Sequence, residues 1–266
     1  MIYVTTVLGA SGTLVQYAKE RARILGYPYC TRRPNFEHMR KEAGDSFLVY
    51  GKDGPMLTDG YPTDDGIHGH SFHTGTAKLR LLQLARGGHD RLIDLLPAGT
   101  SSVLDATYGE GKDSLVLSYA LGGGGRVTSL EKSKALWEIG RWGISHFEDK
   151  NPEIAKALRR IHLLHVDFHE FLGEAEPGSF DVVYFDTMFR EPVKKEENNR
   201  DAFRMGACYD LLDLSTLRLA EKAARRCVIV KERPFSSLFR MDIFDAIYHK
   251  RGQTTAYGVI LCGEHG

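Results

Sequence analysis

Glycines and carboxylates follow one apolar segment of this chain at a spacing that suits a ligand-binding turn. After Leu104 the sequence reads Asp105-Ala-Thr-Tyr108-Gly109-Glu-Gly111-Lys112-Asp113. Two glycines between a strand and a helix let the backbone approach a ligand closely, and the N-terminus of the helix offers unpaired N–H groups. The segment therefore predicts a turn that binds a nucleotide-like ligand, with a carboxylate at each end.

Three further apolar segments end on side chains that suit the parts of an adenosine. Glu131 can accept hydrogen bonds from both hydroxyls of a ribose. Asp167 and Phe168 offer an acceptor for an exocyclic amine and an aromatic face for a purine, and Asp186 follows the next apolar segment. Ligands of parallel sheets bind beyond the carboxyl ends of the strands. We therefore expect these side chains to line one adenosine-binding cleft.

The glycine turn differs from two common phosphate-binding patterns. A P-loop has a glycine six residues before its lysine and Ser or Thr after it, but Ala106 and Asp113 occupy these positions. A dinucleotide fingerprint needs a third glycine, and residues 114–117 contain none. S-adenosylmethionine (SAM) fits better, because carboxylates such as Asp105 and Asp113 can meet its ammonium and Lys112 its carboxylate. A turn that serves only the packing of sheet against helix is the alternative.

Alternating strands and helices are needed to bring these side chains together. The strand candidates after residue 76 are Ser102–Asp105, Arg126–Glu131, Ile161–Val166, Phe180–Phe185 and Cys227–Lys231. Helical patterns cover Lys112–Ala120, Ser133–Phe147 and Asp210–Ala224. A last helix over Ser236–Ile247 and a strand over Ala256–Cys262 close the chain. This order predicts an α/β, doubly wound, mostly parallel sheet.

The first 70 residues predict a separate, smaller α/β domain. Strand candidates cover Ile2–Leu8, Tyr27–Thr31 and Phe47–Tyr50, and helical patterns cover Leu14–Leu25 and Glu37–Ala43. The segment Gly51–Gly75 is rich in glycine and aspartate, which favours a hairpin, loop and linker. We therefore expect a small domain over residues 1–70 and a larger one over residues 71–266.

The larger unit resembles a known enzyme family. The motifs that carry the resemblance are Leu104–Ser114, Ser129–Ser133, His165–Asp167, Phe180–Lys195 and Val230–Pro234. They are similar to those of class I SAM-dependent methyltransferases, and within that class to the RsmJ-type small-subunit ribosomal RNA guanine-N2 methyltransferases and their uncharacterised relatives. The resemblance implies a Rossmann-like fold with a seven-stranded, mostly parallel sheet, and SAM as cofactor.

Carried over by position, the family's cofactor contacts fall on residues of this chain at each strand end. These residues are Lys112, Asp113, Glu131, Lys132, Asp167, Phe168 and Asp186. The glycine turn itself adds Asp105, Tyr108, Gly109 and Gly111 as candidate cofactor-binding residues.

Asp186, Thr187 and Phe189 are the candidate catalytic residues. The lone pair of an exocyclic amine is delocalised into its ring, so a carboxylate and a backbone carbonyl that accept its N–H groups make the nitrogen more nucleophilic. The Asp186 carboxylate and the Thr187 carbonyl could do this, while Phe189 stacks on the base. The family has proline where this chain has Thr187, which lacks the fixed φ of about −65°. Contact with the cofactor alone is the other interpretation of Asp186.

Charge balance leaves the methyl acceptor open. The 266 residues include 35 basic and 35 acidic side chains, so no overall positive charge favours nucleic acid. RNA would need a local patch such as Lys194-Lys195. The expected function is N-methylation of an exocyclic amine, with guanine N2 of ribosomal RNA, and hence a role in rRNA processing, suggested by the resemblance. A small-molecule methyltransferase and a non-catalytic protein that binds SAM or RNA are the alternatives.

Other patterns bear on metal binding and location. His68, His70 and His73 are close in sequence, but no second element pairs with them in the manner of a zinc site, so no metal is expected. The four cysteines are far apart, which is typical of reduced thiols in a cytoplasmic protein. Since no run approaches 18 apolar residues, we expect no membrane span.

Overall fold

The computed structural model describes residues 1–42, 46–63, 66–186 and 212–263, which divide into two compact units. The first unit contains the described residues up to His73 together with Ser133–His146. The second contains Thr74–Lys132 and the described residues from Phe147 onwards. The expected domain boundary at residue 70 stays a prediction. The segment Ser133–His146, which follows the second strand candidate of the larger domain, is grouped with the N-terminal residues.

The first unit is built on a mixed four-stranded sheet. Its strand order is β1-β2-β3-β6, where β1 and β2 are parallel and the other pairs antiparallel. The strands are β1 (Ile2–Thr6), β2 (Ser46–Gly51), β3 (Gly54–Thr58) and β6 (His70–Ser71), and a separate pair consists of β4 (Pro62–Thr63) and β5 (Gly66–Ile67). The helices are α1 (Gly12–Leu25), α2 (Phe36–Glu42) and α5 (Lys134–His146).

Helix α5 contributes both apolar and charged contacts to the first unit. Ala135 and Ile139 belong to the same core cluster as residues of β1, β2 and α1. The fully buried carboxylate of Glu138 accepts hydrogen bonds from Arg21 at 2.6 Å and from the Tyr50 hydroxyl at 2.8 Å. Because these donors satisfy its oxygens, burial of the charge is tolerated.

The second unit contains a seven-stranded sheet that confirms the predicted fold. Its order is β12-β13-β11-β10-β7-β8-β9. The strand β13 is antiparallel to both of its neighbours, β11 and β12, and the other neighbouring pairs are parallel. The strands are β7 (Ser102–Asp105), β8 (Arg126–Glu131), β9 (Ile161–His165), β10 (Phe180–Asp186), β11 (Ala224–Glu232), β12 (Ala246–His249) and β13 (Ala256–Leu261). The helices are α3 (Gly75–Ala85), α4 (Lys112–Leu121), α6 (Pro152–Arg159), α7 (Phe168–Glu174) and α8 (Leu214–Ala223).

The direction of strand addition reverses between β7 and β10. From β7 the chain adds β8 and β9 on one side of the sheet, and β10 then pairs with the other side of β7. The crevice for a ligand in such sheets lies outside the carboxyl ends of the strands at this switch point. Asp105 and Asp186 are the last residues of β7 and β10, so both lie at the switch point.

Some expected elements differ from the structure. The expected helix over Ser236–Ile247 is wrong: a short 3-10 helix, Ser237–Arg240, is followed by β12, which pairs with β13. Of the expected strand over Tyr27–Thr31, the structure has only a single bridge from Tyr29. The helix expected over Asp210–Ala224 starts at Leu214, and its first two residues lie outside the described ranges. In the described part of the chain, none of the helices is long and apolar enough to cross a membrane.

Candidate active site

The turn between β7 and α4 is shaped by its two glycines. Gly109 and Gly111 have φ values of 54° and 70°, a region that strains residues with a side chain. A Cβ atom on Gly111 would overlap the ring of Tyr108. The Gly111 N–H donates to the Tyr108 carbonyl at 2.7 Å, and the Tyr108 N–H donates to the Leu130 carbonyl at 2.9 Å. The turn is therefore compact and hydrogen-bonded to β8.

Glu131 lies beside this turn. It is the last residue of β8, and its buried carboxylate accepts the Gly109 N–H at 3.0 Å. Two residues that the sequence assigned independently to the cofactor are thus in direct contact. Their hydrogen bond ties the position of the turn to the end of β8.

Asp105 stabilises the turn through hydrogen bonds to residues on either side of the glycines. One oxygen of its buried carboxylate accepts the Thr107 N–H at 3.1 Å, and the other accepts the hydroxyl of Ser114. The Ser114 oxygen lies 2.9 Å from the Ser129 hydroxyl oxygen. Burial raises the pKa of Asp105 to about 7, although the hydrogen bond from Ser114 opposes this. Asp105 therefore has internal partners for both oxygens, so its expected contact with an ammonium stays a prediction.

Asp113 lies between two cations. Its carboxylate contacts the Arg80 guanidinium on α3 and the Lys231 ammonium on β11, the latter at 2.9 Å, and it accepts the Tyr184 hydroxyl at 2.7 Å. Burial alone would raise the pKa of Asp113, but Lys231 and Arg80 hold it well below its ordinary value. Asp113 therefore has two cations as internal partners, and its expected contact with an ammonium stays a prediction.

Asp186 ends a chain of ion pairs. Its carboxylate lies 2.7 Å from the Lys231 ammonium, and its N–H donates to the Thr107 hydroxyl at 2.6 Å. The side chain is 34% exposed. Burial and the nearby Asp113 raise its pKa to about 7, although Lys231 lowers it. We call Arg80, Asp113, Lys231 and Asp186 the ion chain.

Two of the candidate catalytic residues cannot be placed. Thr187 and Phe189 lie outside the described residues, as does Lys194-Lys195. Their expected roles, a carbonyl acceptor, a stacking ring and a local basic patch, stay predictions.

The third strand end combines an ion pair with a buried ring. Lys132 pairs with the Asp167 carboxylate at 2.6 Å, and Asp167 caps α7 by accepting the His169 N–H at 2.8 Å. Burial raises the pKa of Asp167, but these partners lower it overall. The Phe168 ring lies in the core, edge-on to Phe185 at 5.7 Å between centroids, and stacks on His169. Phe168 therefore presents little of its face to a ligand in this state.

Some contacts at the site follow from the strand ends and others could not be foreseen. Lys112 is the first residue of α4 and pairs with Glu110 of the turn. Lys231 lies near the end of β11, so the position of strand ends indicates it in the same way as Glu131 and Asp186. Arg80 does not follow a strand, and it contacts Asp113 from α3, 33 residues earlier in the chain. The sequence does not indicate Thr107, because it lies between an acid and the glycines.

The described residues fit SAM as a ligand. The glycine turn allows close approach of backbone, and the Glu131 carboxylate is positioned beside it. The Tyr108 hydroxyl is buried with no hydrogen-bond partner among the described residues. Such a group costs about 1–3 kcal/mol unless a partner is supplied. Burial and the carboxylates of Asp105 and Glu131 raise the pKa of its phenol, so it stays protonated as a donor.

A seven-stranded sheet of this order, with a glycine turn after its first parallel strand and an acid at the end of the next, defines a SAM-dependent methyltransferase. The family model described as "Putative SAM-dependent methyltransferase" matches residues 48–247. The chain belongs to this family, and it is an enzyme that uses SAM.

Similar proteins match this chain over different shares of its length. The chain is 31% identical to "Uncharacterized protein YpiP" of Bacillus subtilis, over 97% of this chain and 98% of that protein. It is 30% identical to ribosomal RNA small subunit methyltransferase J of Acinetobacter baylyi, but over only 52% and 54% of the two chains. The crystal structure of a SAM-dependent methyltransferase from Neisseria gonorrhoeae matches with a TM-score of 0.61 at 18% identity. The match covers 98% of this chain and 96% of that chain, which supports the fold.

Replacing Glu131 by alanine is expected to weaken SAM binding at least about tenfold. The carboxylate would accept ribose hydroxyls, and hydrogen bonds to a charged group contribute roughly 1.5–3 kcal/mol each. Isothermal titration calorimetry of the folded variant measures the change. Glu153→Ala, which removes an exposed carboxylate at the start of α6, is the matched control. If the folded Glu131→Ala variant binds SAM with wild-type affinity, Glu131 does not contact the ribose.

Replacing Tyr108 by phenylalanine is expected to separate folding from cofactor binding. The variant loses an unsatisfied buried hydroxyl, so the ligand-free protein should be at least as stable as the wild type. The rise in melting temperature on adding SAM should shrink, because the hydroxyl finds its partner only in the complex. Scanning fluorimetry with and without SAM measures both, with Tyr248→Phe on exposed β12 as control. An unchanged rise in Tyr108→Phe would show that the hydroxyl does not face SAM.

Proposed function

We propose that this methyltransferase methylates an exocyclic amine, and that guanine N2 of small-subunit ribosomal RNA is its acceptor. The observation that carries the proposal is the carboxylate of Asp186. It lies partly exposed at the switch point of the sheet, and its pKa is raised to about 7. The relatives named ribosomal RNA small subunit methyltransferase J, 25–31% identical to this chain, support RNA as the acceptor.

An exocyclic amine needs help to act as a nucleophile because its lone pair is shared with the ring. A carboxylate that accepts one of its N–H bonds returns electron density to the nitrogen and fixes its direction of attack. In this chain the Asp186 carboxylate has that role, and the Thr187 carbonyl takes the second N–H. The ring of Phe189 stacks on the base and limits its tilt.

SAM, when bound, supplies an electrophilic methyl carbon on its sulfonium. Transfer of this methyl carbon to the amine nitrogen would break its bond to sulfur, which would keep the electron pair and leave as a neutral thioether. The positive charge moves to the nitrogen, and one of its protons passes to the Asp186 carboxylate. A carboxyl with a pKa near 7 accepts this proton and releases it again to water at neutral pH.

The other strand ends hold the cofactor in this proposal. Glu131 binds the ribose hydroxyls, the glycine turn allows the backbone to approach, and Tyr108 donates its buried hydroxyl. The Asp167 carboxylate accepts a hydrogen bond from the exocyclic amine of the adenine, which replaces its ion pair with Lys132. Asp105 acts on the turn through Thr107 and Ser114.

Transfer of a labelled methyl group tests the acceptor. The protein is incubated with methyl-labelled SAM and, in parallel, with protein-free small-subunit ribosomal RNA, assembled small subunits and a panel of small amines. We expect label in RNA, recovered as N2-methylguanosine after nuclease digestion. Binding of the RNA should weaken steeply with salt, because phosphate contacts release counterions. Label in the small amines alone would show that the acceptor is a small molecule and not RNA. The absence of methyl transfer to the RNA, the small subunits and the small amines would contradict an amine acceptor.

A further inference from the structure

We infer that Lys231 is a positioning residue which, shared between the carboxylates of Asp113 and Asp186, sets the protonation state of Asp186 during methyl transfer. The inference rests on the proposed role of Asp186 as acceptor of the amine proton. It assigns a function to the ion chain as a whole, of which only the two aspartates were expected at the site.

One cation lies between two carboxylates. The Lys231 ammonium is 2.9 Å from an oxygen of Asp113 and 2.7 Å from an oxygen of Asp186. Lys231 and Asp186 are paired in register on neighbouring parallel strands, so β10 and β11 hold the contact in place. The two carboxylates keep Lys231 protonated by raising its pKa, although burial lowers it.

The two carboxylates are not equivalent. Asp113 has a second cation, Arg80, and the hydroxyl of Tyr184, and it is buried. Among the described residues, Lys231 is the cation that contacts Asp186. Asp113 therefore stays charged, and the proton that the cluster takes up near neutral pH goes to Asp186.

Lys231 and Asp113 act on Asp186 in opposite directions. Lys231 favours the ionised carboxylate, and the charge of Asp113 favours the protonated one. Of the other groups near the cluster, Asp105 also has a pKa of about 7, which burial raises and on which the charges of Asp113 and Lys231 act in the same directions. Tyr184 and Tyr257 have raised pKa values and stay neutral at physiological pH. Arg80, on the far side of Asp113, stays charged. The protonation of Asp186 is thus set by burial, by one attraction and by one repulsion.

Two substitutions should therefore move the pH profile of the enzyme in opposite directions. Asp186 accepts a proton only when ionised, so kcat/KM of the wild type should rise with pH and level off above about pH 7. Lys231→Met removes the attraction and should shift this rising limb of the pH profile to higher pH, by about 1–3 pH units. Asp113→Asn removes the repulsion and should move it down. Lys231→Arg keeps the charge and should return the limb toward the wild-type position.

The acceptor for these profiles is protein-free small-subunit ribosomal RNA, and binding of SAM is measured beside each profile. Affinity for SAM should change less than about threefold in Lys231→Met, since Lys231 is placed at Asp186 and not at the cofactor. A loss of activity that is the same at every pH would overturn the inference, because a structural role alone lowers activity without moving the limb.

A second measurement does not depend on catalysis. In protein labelled with carbon-13 at aspartate carboxyls, the resonance of Asp186 is identified by its loss in Asp186→Asn, and its titration is followed by NMR without SAM. We expect its midpoint to rise in Lys231→Met and to fall in Asp113→Asn. Unmoved midpoints in both variants would overturn the inference even if amines are methylated. Moved midpoints with no methyl transfer to any amine would leave the ion chain as inferred and contradict the proposed acceptor.

Discussion

Asp186→Asn is expected to lower kcat by about 10²–10³ while the affinity for SAM changes less than about threefold. The amide keeps the size of the side chain and one acceptor oxygen. It has no negative charge with which to polarise the amine, and it cannot take the proton that the nitrogen loses. The loss therefore falls on the chemical step. Single-turnover transfer of labelled methyl, with calorimetry of SAM binding on the same preparation, measures the two effects separately.

A matched control and two outcomes make the test specific. Asp94→Asn changes an exposed aspartate of the same unit and should leave both quantities unchanged. Full turnover in Asp186→Asn would rule out the carboxylate as proton acceptor. An equal loss of turnover and of SAM binding would instead make Asp186 a cofactor ligand, which is the other interpretation that the sequence allows.

The central strands of the large sheet, such as β7, β8 and β10, were predictable because they are buried on both faces. Such strands are continuous apolar runs that contrast with the amphipathic helices between them. The expected bounds of β7 and β8 coincide with the structure. The region before β13 was harder, because β12 is an exposed edge strand in which Ile247 and Tyr248 face solvent. Its scattered apolar residues fit a helical period as well as a strand.

The site was predictable in position but not in detail. Reading the strand ends identified the glycine turn, Glu131 and Asp186, because topology alone brings such residues to one edge of a parallel sheet. Whether a carboxylate there meets a ligand or an internal donor depends on contacts that sequence spacing does not reveal. Asp113 shows this best, since its partner Lys231 lies 118 residues away.

Arg80→Met is expected to destabilise the second unit by about 3–5 kcal/mol, the usual effect of removing one partner from a buried ion pair. The Arg80 guanidinium donates to both oxygens of Asp90, at 2.7 and 2.9 Å, and also contacts Asp113. Both carboxylates are less than a tenth exposed. Methionine fills similar space but leaves Asp90 without its cation and Asp113 with Lys231 alone.

Urea denaturation at pH 7 measures the change. Arg86→Met, at the exposed residue that follows the same helix, should stay within about 0.5 kcal/mol of the wild type. The pKa of Asp90 is lowered in the folded protein because Arg80 outweighs burial. Its stabilisation is therefore present above the unfolded pKa of about 3.9 and lost as pH falls through the folded value. The difference between wild type and Arg80→Met should shrink accordingly in acid. A loss below about 1 kcal/mol at pH 7 would mean that water replaces the guanidinium at little cost. With Arg80 gone, Asp113 also competes more strongly for Lys231, so the limb of the pH profile set by Asp186 should move upward in the same variant.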